Sequence, residues 1–394
     1  MNIDKSSLVT MFETFSCDKK LTLLQNVVHS SSIQTASSTF SSYNVPEKLT
    51  YEIDCKEYKV KNQHKTGFCW LFAAQNLIYH KTQQTMSVYY WAFFDKLERC
   101  NYAMNCLEKT KKTPQDSRLV QHLLSSKFLS DGGTWHMFTN ILKKYGGVLE
   151  HTFVTTFHTK NTSEINVMLQ RILRLFASGN LKRKKANKAI LKILYTCFGT
   201  PPLINVINLY EDLNMSEYRV FINSPMHKVN MNYTVLFQQN IQEAEDPIYV
   251  NISIADMKHM ALEHIKHKHI LWFAADMGQV DLKQGIMDHE LYDIDLLFDI
   301  DTKMSKSQRL IWGESGPVHA MVLCGAHMQG STVTHWKVQN SWGEDSGKKG
   351  FFIMTDKWFE ENVYQIVATS SQHCYPDTMD LPPWDPMGML AHST

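Results

Sequence analysis

The stretch NQHKTGFCWLFAAQNLI, residues 62–78, sets a cysteine and a tryptophan side by side where an apolar run of helical spacing begins. A thiolate is the nucleophilic form of cysteine, and the positive end of a helix dipole lowers a thiol's pKa. Cys69 at a helix N-terminus is therefore a candidate nucleophile for acyl transfer. Gln63 lies six residues before it on the approach loop. Its side-chain amide, with the Cys69 backbone N–H, supplies two donors for the oxyanion of a tetrahedral intermediate. Gly67 lets the backbone pass close to a substrate.

Such a thiol needs a histidine to take and return a proton, and a third group to orient that histidine. His319 opens the strand-like run in VHAMVLCGA, and Asn340 ends HWKVQN 21 residues later. Adjacent strands joined by a hairpin bring the two together. The Asn340 amide oxygen then accepts from one imidazole nitrogen and leaves the other for sulfur. Trp342 follows and covers that bond from water. Taken singly, a cysteine is more often a buried structural thiol, a histidine a satisfied core residue and NSWG a turn. In the order Gln, Cys, His, Asn they describe one reaction.

The elements that must hold these groups follow from periodicity. Positions 70, 71, 73, 74, 77 and 78 give a buried helix from Cys69. TWHMFTNILKKYG predicts a second, with Trp135, Phe138, Leu142 and Tyr145 on one face and Gly146-Gly147 as its end. Residues 161–198 read as helical. VHAMVLCGA, HWKVQNSW and GFFIMT read as short strands, with GAHMQGS a hairpin loop rather than a phosphate cradle. Helices followed by strands predict an α+β protein of two lobes. The divisions expected are an N-terminal arm (1–54), a helical lobe with the nucleophile (55–150), an inserted helical region (151–245), a β lobe with histidine and asparagine (246–380) and a tail (381–394).

The chain has 394 residues, 43% hydrophobic and 20% charged, with a formal net charge of +1, so no strong general affinity for polyanions is expected. MNIDKSSLVTMFETF has neither a basic start nor a long apolar run, which predicts a cytoplasmic protein. No apolar run is long enough to span a bilayer. Eight cysteines are sparse for this length and read as free thiols.

QHKTGFCWLFA and KVQNSWGEDSGKKGFFIMTDKWF resemble the papain-like cysteine peptidases, and more narrowly the group of bleomycin hydrolase and its bacterial aminopeptidase relatives. DKLERC (95–100), RLVQHLL (118–124), DGGTWHM (131–137), LYDIDLLF (291–298) and LPPWDPMGMLA (381–391) carry the same resemblance. It implies a papain-like two-lobe fold with a helical insertion and no cofactor. Cys69 would be the nucleophile, His319 the general base and acid, Asn340 the orienting residue and Gln63 an oxyanion donor. Asp131, Gly132 and Gly133 match the segment lining the substrate cleft. The tail would lie in that cleft, its matching end at Ala391 with three residues beyond. Peptides, with related amides, would be the substrates, cut from the amino end, and the assembly a homohexamer. Cys69 and His319 stand 250 residues apart, against about 130–150 in papain and the cathepsins, so an insertion on the order of 100 residues is expected in the middle. The chain departs from the group at His64-Lys65-Thr66, where serines are usual, and at Val318, where threonine is usual. The added basic character beside Cys69 is expected to alter substrate preference.

Other features have plainer readings. LKRKKANK (181–188) has no interleaved aromatics and reads as a solvated helix face rather than a nucleic-acid contact. Four histidines at 259, 264, 267 and 269 lack the HExxH pattern and read as no metal site. An endopeptidase would need an open cleft. A binding protein that had merely kept the fold would be expected to have lost one of Gln63, Cys69, His319 and Asn340.

Overall fold

In a computed structural model the described residues are 4–53, 59–153, 155–370 and 375–388. The helix Cys69–Thr82 is central. Ten consecutive residues, Cys69 to Ile78, are buried, so the helix expected to be buried is enclosed all round. The reason is packing on two sides. The strand His319–Gln329 lies against one side and the helix Val88–Lys109 against the other. Even Gln75 is enclosed, its Oε1 accepting from Met86 N at 2.9 Å.

Twelve strands form one sheet among the described residues. In its centre Val363–Thr369, Leu271–Ala275, His319–Gln329, Thr332–Gln339 and Phe351–Thr355 lie side by side, each neighbouring pair antiparallel. Side chains alternate between faces along His319–Gln329. Ala320, Val322 and Cys324 join the core around Cys69–Thr82. Met321 and Leu323 join a second core beneath the helix Ile254–Lys266, and so does Ala326, past the register shift between Leu323 and Gly325. The hairpin between His319–Gln329 and Thr332–Gln339 is tighter than expected. GAHMQGS contributes strand as far as Gln329, and the turn falls at Gly330, whose φ is +61°.

The long helices of the interval 151–245 lie in its first half, with only the short helical turns Leu209–Asp212 and Met215–Glu217 beyond them. Ser163–Ala177 and Arg183–Phe198 are two helices separated by a break, rather than one run. Beyond them Tyr218–Ile222 and Met231–Val235 are strands that enter the sheet. This corrects the expectation of a helical insertion through to residue 245. Val220, Phe221 and Ile222 are buried in succession, the mark of a strand covered on both faces rather than of a 3.6-residue stripe. The N-terminal arm is helical, Lys5–Cys17 and Lys19–Ser30, and neither helix buries a residue.

Candidate active site

Phe68 caps the helix Cys69–Thr82 and contributes no side-chain hydrogen bond. No side chain therefore caps the N–H groups of its first turn. The Cys69 and Trp70 amides turn toward the Cys69 sulfur, and so does the amide of Ala320, the residue after His319. Cys69 and His319 are 4% and 3% exposed.

Strand register sets the histidine's partners. Val322 stands opposite Gln339. Continuing that antiparallel pairing places His319 across from Trp342, with Asn340 between. Accordingly the His319 Nε2 donates to Asn340 Oδ1 at 2.8 Å, and the Trp342 ring stacks on the imidazole with centroids 4.5 Å apart and planes at 25°. Asn340 Oδ1 also accepts from Ser341 N at 2.8 Å, which fixes the amide's orientation. An oxygen can only accept, so Nε2 carries the hydrogen and Nδ1 keeps its lone pair.

Burial pushes the Cys69 thiol up to about 11, with the amides of Ala320, Trp70 and Cys69 pulling the other way. Burial likewise takes His319 down to about 4, opposed by the Asn340 bond. Each is the cost of charging one group alone. Proton transfer from sulfur to imidazole charges both together, and their attraction offsets the penalty.

Gln63 is buried and pinned at both ends of its amide. Nε2 donates to Thr66 O at 2.6 Å, and Oε1 accepts from Ser341 Oγ at 2.6 Å. Nε2 has a second hydrogen left over. Ser341 was not singled out in the sequence, although it stands between Asn340 and Trp342.

Asp131, Gly132 and Gly133 are all buried. The Asp131 carboxylate binds Gly67 N at 3.0 Å and Lys96 Nζ at 2.6 Å, and accepts from Thr162 Oγ1. Arg99 donates to Gly132 O at 2.6 Å. Gly133 lies against the indole of Trp70, where an added Cβ would come within 2.4 Å. The Asp131 side chain is thus committed inward. Nothing in the sequence marks Lys96, Thr162 or Asn166 as part of this network.

The tail alternates in burial, with Leu381, Pro383, Asp385 and Met387 turned inward. Gln238 Nε2 donates to Pro383 O at 2.9 Å and Gln365 Nε2 to Met387 O at 3.0 Å. His227 Nε2 pairs with Asp385 Oδ2 at 2.9 Å. Trp384 is 40% exposed and lies under the Arg118 guanidinium at 3.9 Å rather than filling an apolar pocket. Pro382 to Pro386 share a cavity of about 630 Å³ with Arg118, His122 and Val318, the residue before His319. Ala391, expected in the cleft, lies outside the described residues, as do Cys55 and Cys374.

His264 and His267 each donate Nδ1 to a carbonyl one turn back, Met260 O and Glu263 O. No group of side chains suited to a metal ion occurs among the described residues. In the basic run Lys182, Lys184, Lys185 and Lys188 are exposed, while Arg183 bonds to Glu108, Asn101 and Asn105. No helix among the described residues is long and apolar enough to cross a membrane.

The profile of the Peptidase C1-like family matches residues 2–203 and 202–388. Bleomycin hydrolase of Mus musculus is 33% identical over 393 residues, covering 84% of this chain and 86% of its own. Aminopeptidase C of Listeria monocytogenes is 32% identical over 383 residues, with the same two shares. The crystal structure of PepW from Lactobacillus rhamnosis superposes with a TM-score of 0.89 at 29% identity, covering 99% of both chains. The chain belongs to the Peptidase C1-like family: it is a cysteine peptidase of the α+β papain-like fold.

Proposed function

We propose that the chain is an aminopeptidase that removes residues from the amino end of peptides, and hydrolyses related amides, through Cys69, His319, Asn340 and Gln63. The observation that carries the reading is the His319–Asn340 bond of 2.8 Å under the Trp342 ring, with the next residue's amide turned to the Cys69 sulfur. The Cys69 proton passes to His319 Nδ1 and the sulfur attacks the scissile carbonyl carbon. The oxyanion is met by the Cys69 N–H and the spare Gln63 Nε2 hydrogen. His319 returns the proton to the leaving amine, and a thioester remains on sulfur. Water, deprotonated by Nδ1, then releases the acid and regenerates the thiol. Asn340 holds the tautomer in which this is feasible.

The Gly133 backbone pairs with the bound peptide. The tail supplies the amino-end preference: Pro382 to Pro386 run beside Val318 and limit the cleft at that end. The anchoring of Pro383, Asp385 and Met387 beside Val318 supports this placement. The names of bleomycin hydrolase and aminopeptidase C support the substrate class. Action in the cytoplasm and a homo-oligomer, a hexamer in the first instance, belong to the same reading. The arm supports the oligomer, because Phe12 and Leu23 stand 62% and 65% exposed on helices that bury nothing.

The test compares an unblocked peptide with its N-acetyl form, in the full chain and in a chain lacking residues 381–394. The full chain should strongly prefer the free amino end, and the deletion should shift the ratio toward the acetylated peptide. An unchanged ratio would take the exopeptidase role away from the tail.

A further inference from the structure

Cys69 is flanked on both sides by residues tied to one buried ion pair. Lys96 and Asp131 are 3% and 1% exposed, and their charged ends meet at 2.6 Å. The Asp131 carboxylate holds the Gly67 N–H at 3.0 Å. The Lys96 ammonium lies 5.4 Å from the centroid of the Phe68 ring. On the far side of the thiol, the Trp70 indole N–H donates to the Asp131 backbone oxygen at 2.7 Å. The two residues before the sulfur and the one after it thus all hang from Lys96 and Asp131.

The pair is itself fixed. Asn166 accepts from Lys96 at 2.6 Å and donates to Asp131 Oδ1 at 2.9 Å, closing a triangle, and the Thr162 hydroxyl donates to Oδ2. Lys96 comes from the helix Val88–Lys109, one turn before Arg99, which holds Gly132 O. A buried ion pair is a weak source of stability, because desolvation consumes much of its attraction. Its charge-assisted bonds are short and directional, however, and they fix geometry well. The Asp131 charge disfavours a thiolate nearby.

We propose that Lys96 and Asp131 are positioning residues whose buried pair holds Gly67, Phe68 and Trp70 so that the Cys69 sulfur meets the scissile carbonyl. The inference rests on the reading of Cys69 as nucleophile. Both side chains act through the segment that carries the thiol.

The test uses Lys96→Met, Lys96→Arg, Thr162→Val and the double variant Lys96→Met/Asp131→Asn. Turnover of an aminoacyl fluorogenic amide is measured per titrated active site. Iodoacetamide labelling of Cys69 is followed on its own peptide by mass spectrometry. Misplacement of a reacting atom costs rate rather than affinity, so Lys96→Met should lower kcat and labelling at least about tenfold while KM stays within about threefold. Lys96→Arg should recover part of both. The double variant leaves no uncompensated charge, so it should label faster than Lys96→Met but turn over more slowly than the parent. If Lys96→Met does not fold, the double variant and Thr162→Val carry the same test, each expected to lose turnover and labelling rate. Folded variants with kcat and labelling within about twofold of the parent would overturn the inference and leave the pair a packing feature. Cys69→Ala runs alongside. Turnover by that variant would remove the nucleophile reading, whereas its inactivity beside a fully active Lys96→Met would remove this inference alone.

Discussion

His319 and Asn340 have unequal jobs in the proposed reaction. One moves the proton; the other holds the imidazole so that Nδ1 is the free nitrogen. His319→Ala should abolish turnover, whereas Asn340→Ala should lose roughly ten- to a hundredfold less. Equal losses, measured as kcat, would contradict the division. Gln63→Ala removes one of two oxyanion donors and should cost about 10²–10³ in kcat with little change in KM. The Asp131 carboxyl gives a pH prediction. Burial pushes it up, but Lys96, Thr162 and Asn166 outweigh that and hold it well below the usual carboxylate range. Its stabilising contribution is therefore present above the unfolded pKa of about 3.9 and is lost only as pH falls toward the lower folded value. Melting temperatures of the parent and Asp131→Asn should differ by a constant amount from about pH 7 to about pH 5, and converge only below about pH 4. A gap that closes near neutrality would mean the pair is not charged as described.

At this scale the sequence was informative where chemistry restricts residue type. A thiol, an imidazole and two amides in a fixed order are legible because few other residues do their work. Ser341 and Lys96 were not. A serine in a turn and a lysine in a charged helix both look like surface residues. Only the fold shows that Lys96 is enclosed with an aspartate 35 positions away.

Among the elements, the segment Asp131–Gly133 shows how tightly the helix Cys69–Thr82 is seated. Gly133→Ala would drive a Cβ to within 2.4 Å of a buried indole that is itself held by Asp131 O. Overpacking of this kind costs about 1–3 kcal/mol. Because Trp70 follows Cys69, the proposed nucleophile, the variant should lose turnover as well as stability. Thermal unfolding and active-site-normalised kcat measured together check both, and an unchanged kcat would uncouple that packing from the site. The helices around Cys69 and Trp135 were legible from their periodicity, and the end of Trp135–Tyr145 from Gly146 at φ +61°. The strands Tyr218–Ile222 and Met231–Val235 were not. Short apolar runs carry no decisive period, and only their pairing partners far along the chain make them strands.

For the whole molecule, the arm carries a run of exposed apolar side chains, Val9, Met11, Phe12, Phe15 and Leu23 among them. If closed symmetry of six copies buries them, light scattering should give about six times the 45.6 kDa chain mass. Phe12→Asp with Leu23→Asp should then dissociate the assembly while leaving the fold intact. A monomer at all concentrations would refute the hexamer without touching the catalytic account. That account stands or falls on one thiol among the eight in the sequence. The most direct measurement is active-site labelling with an electrophilic peptide analogue, located by mass spectrometry and followed against turnover of an aminoacyl amide. One label per chain on Cys69, loss of turnover in step with labelling, and an inactive but folded Cys69→Ala are the predicted result. Labelling of another cysteine in step with inactivation, or near-normal turnover by Cys69→Ala, would contradict it.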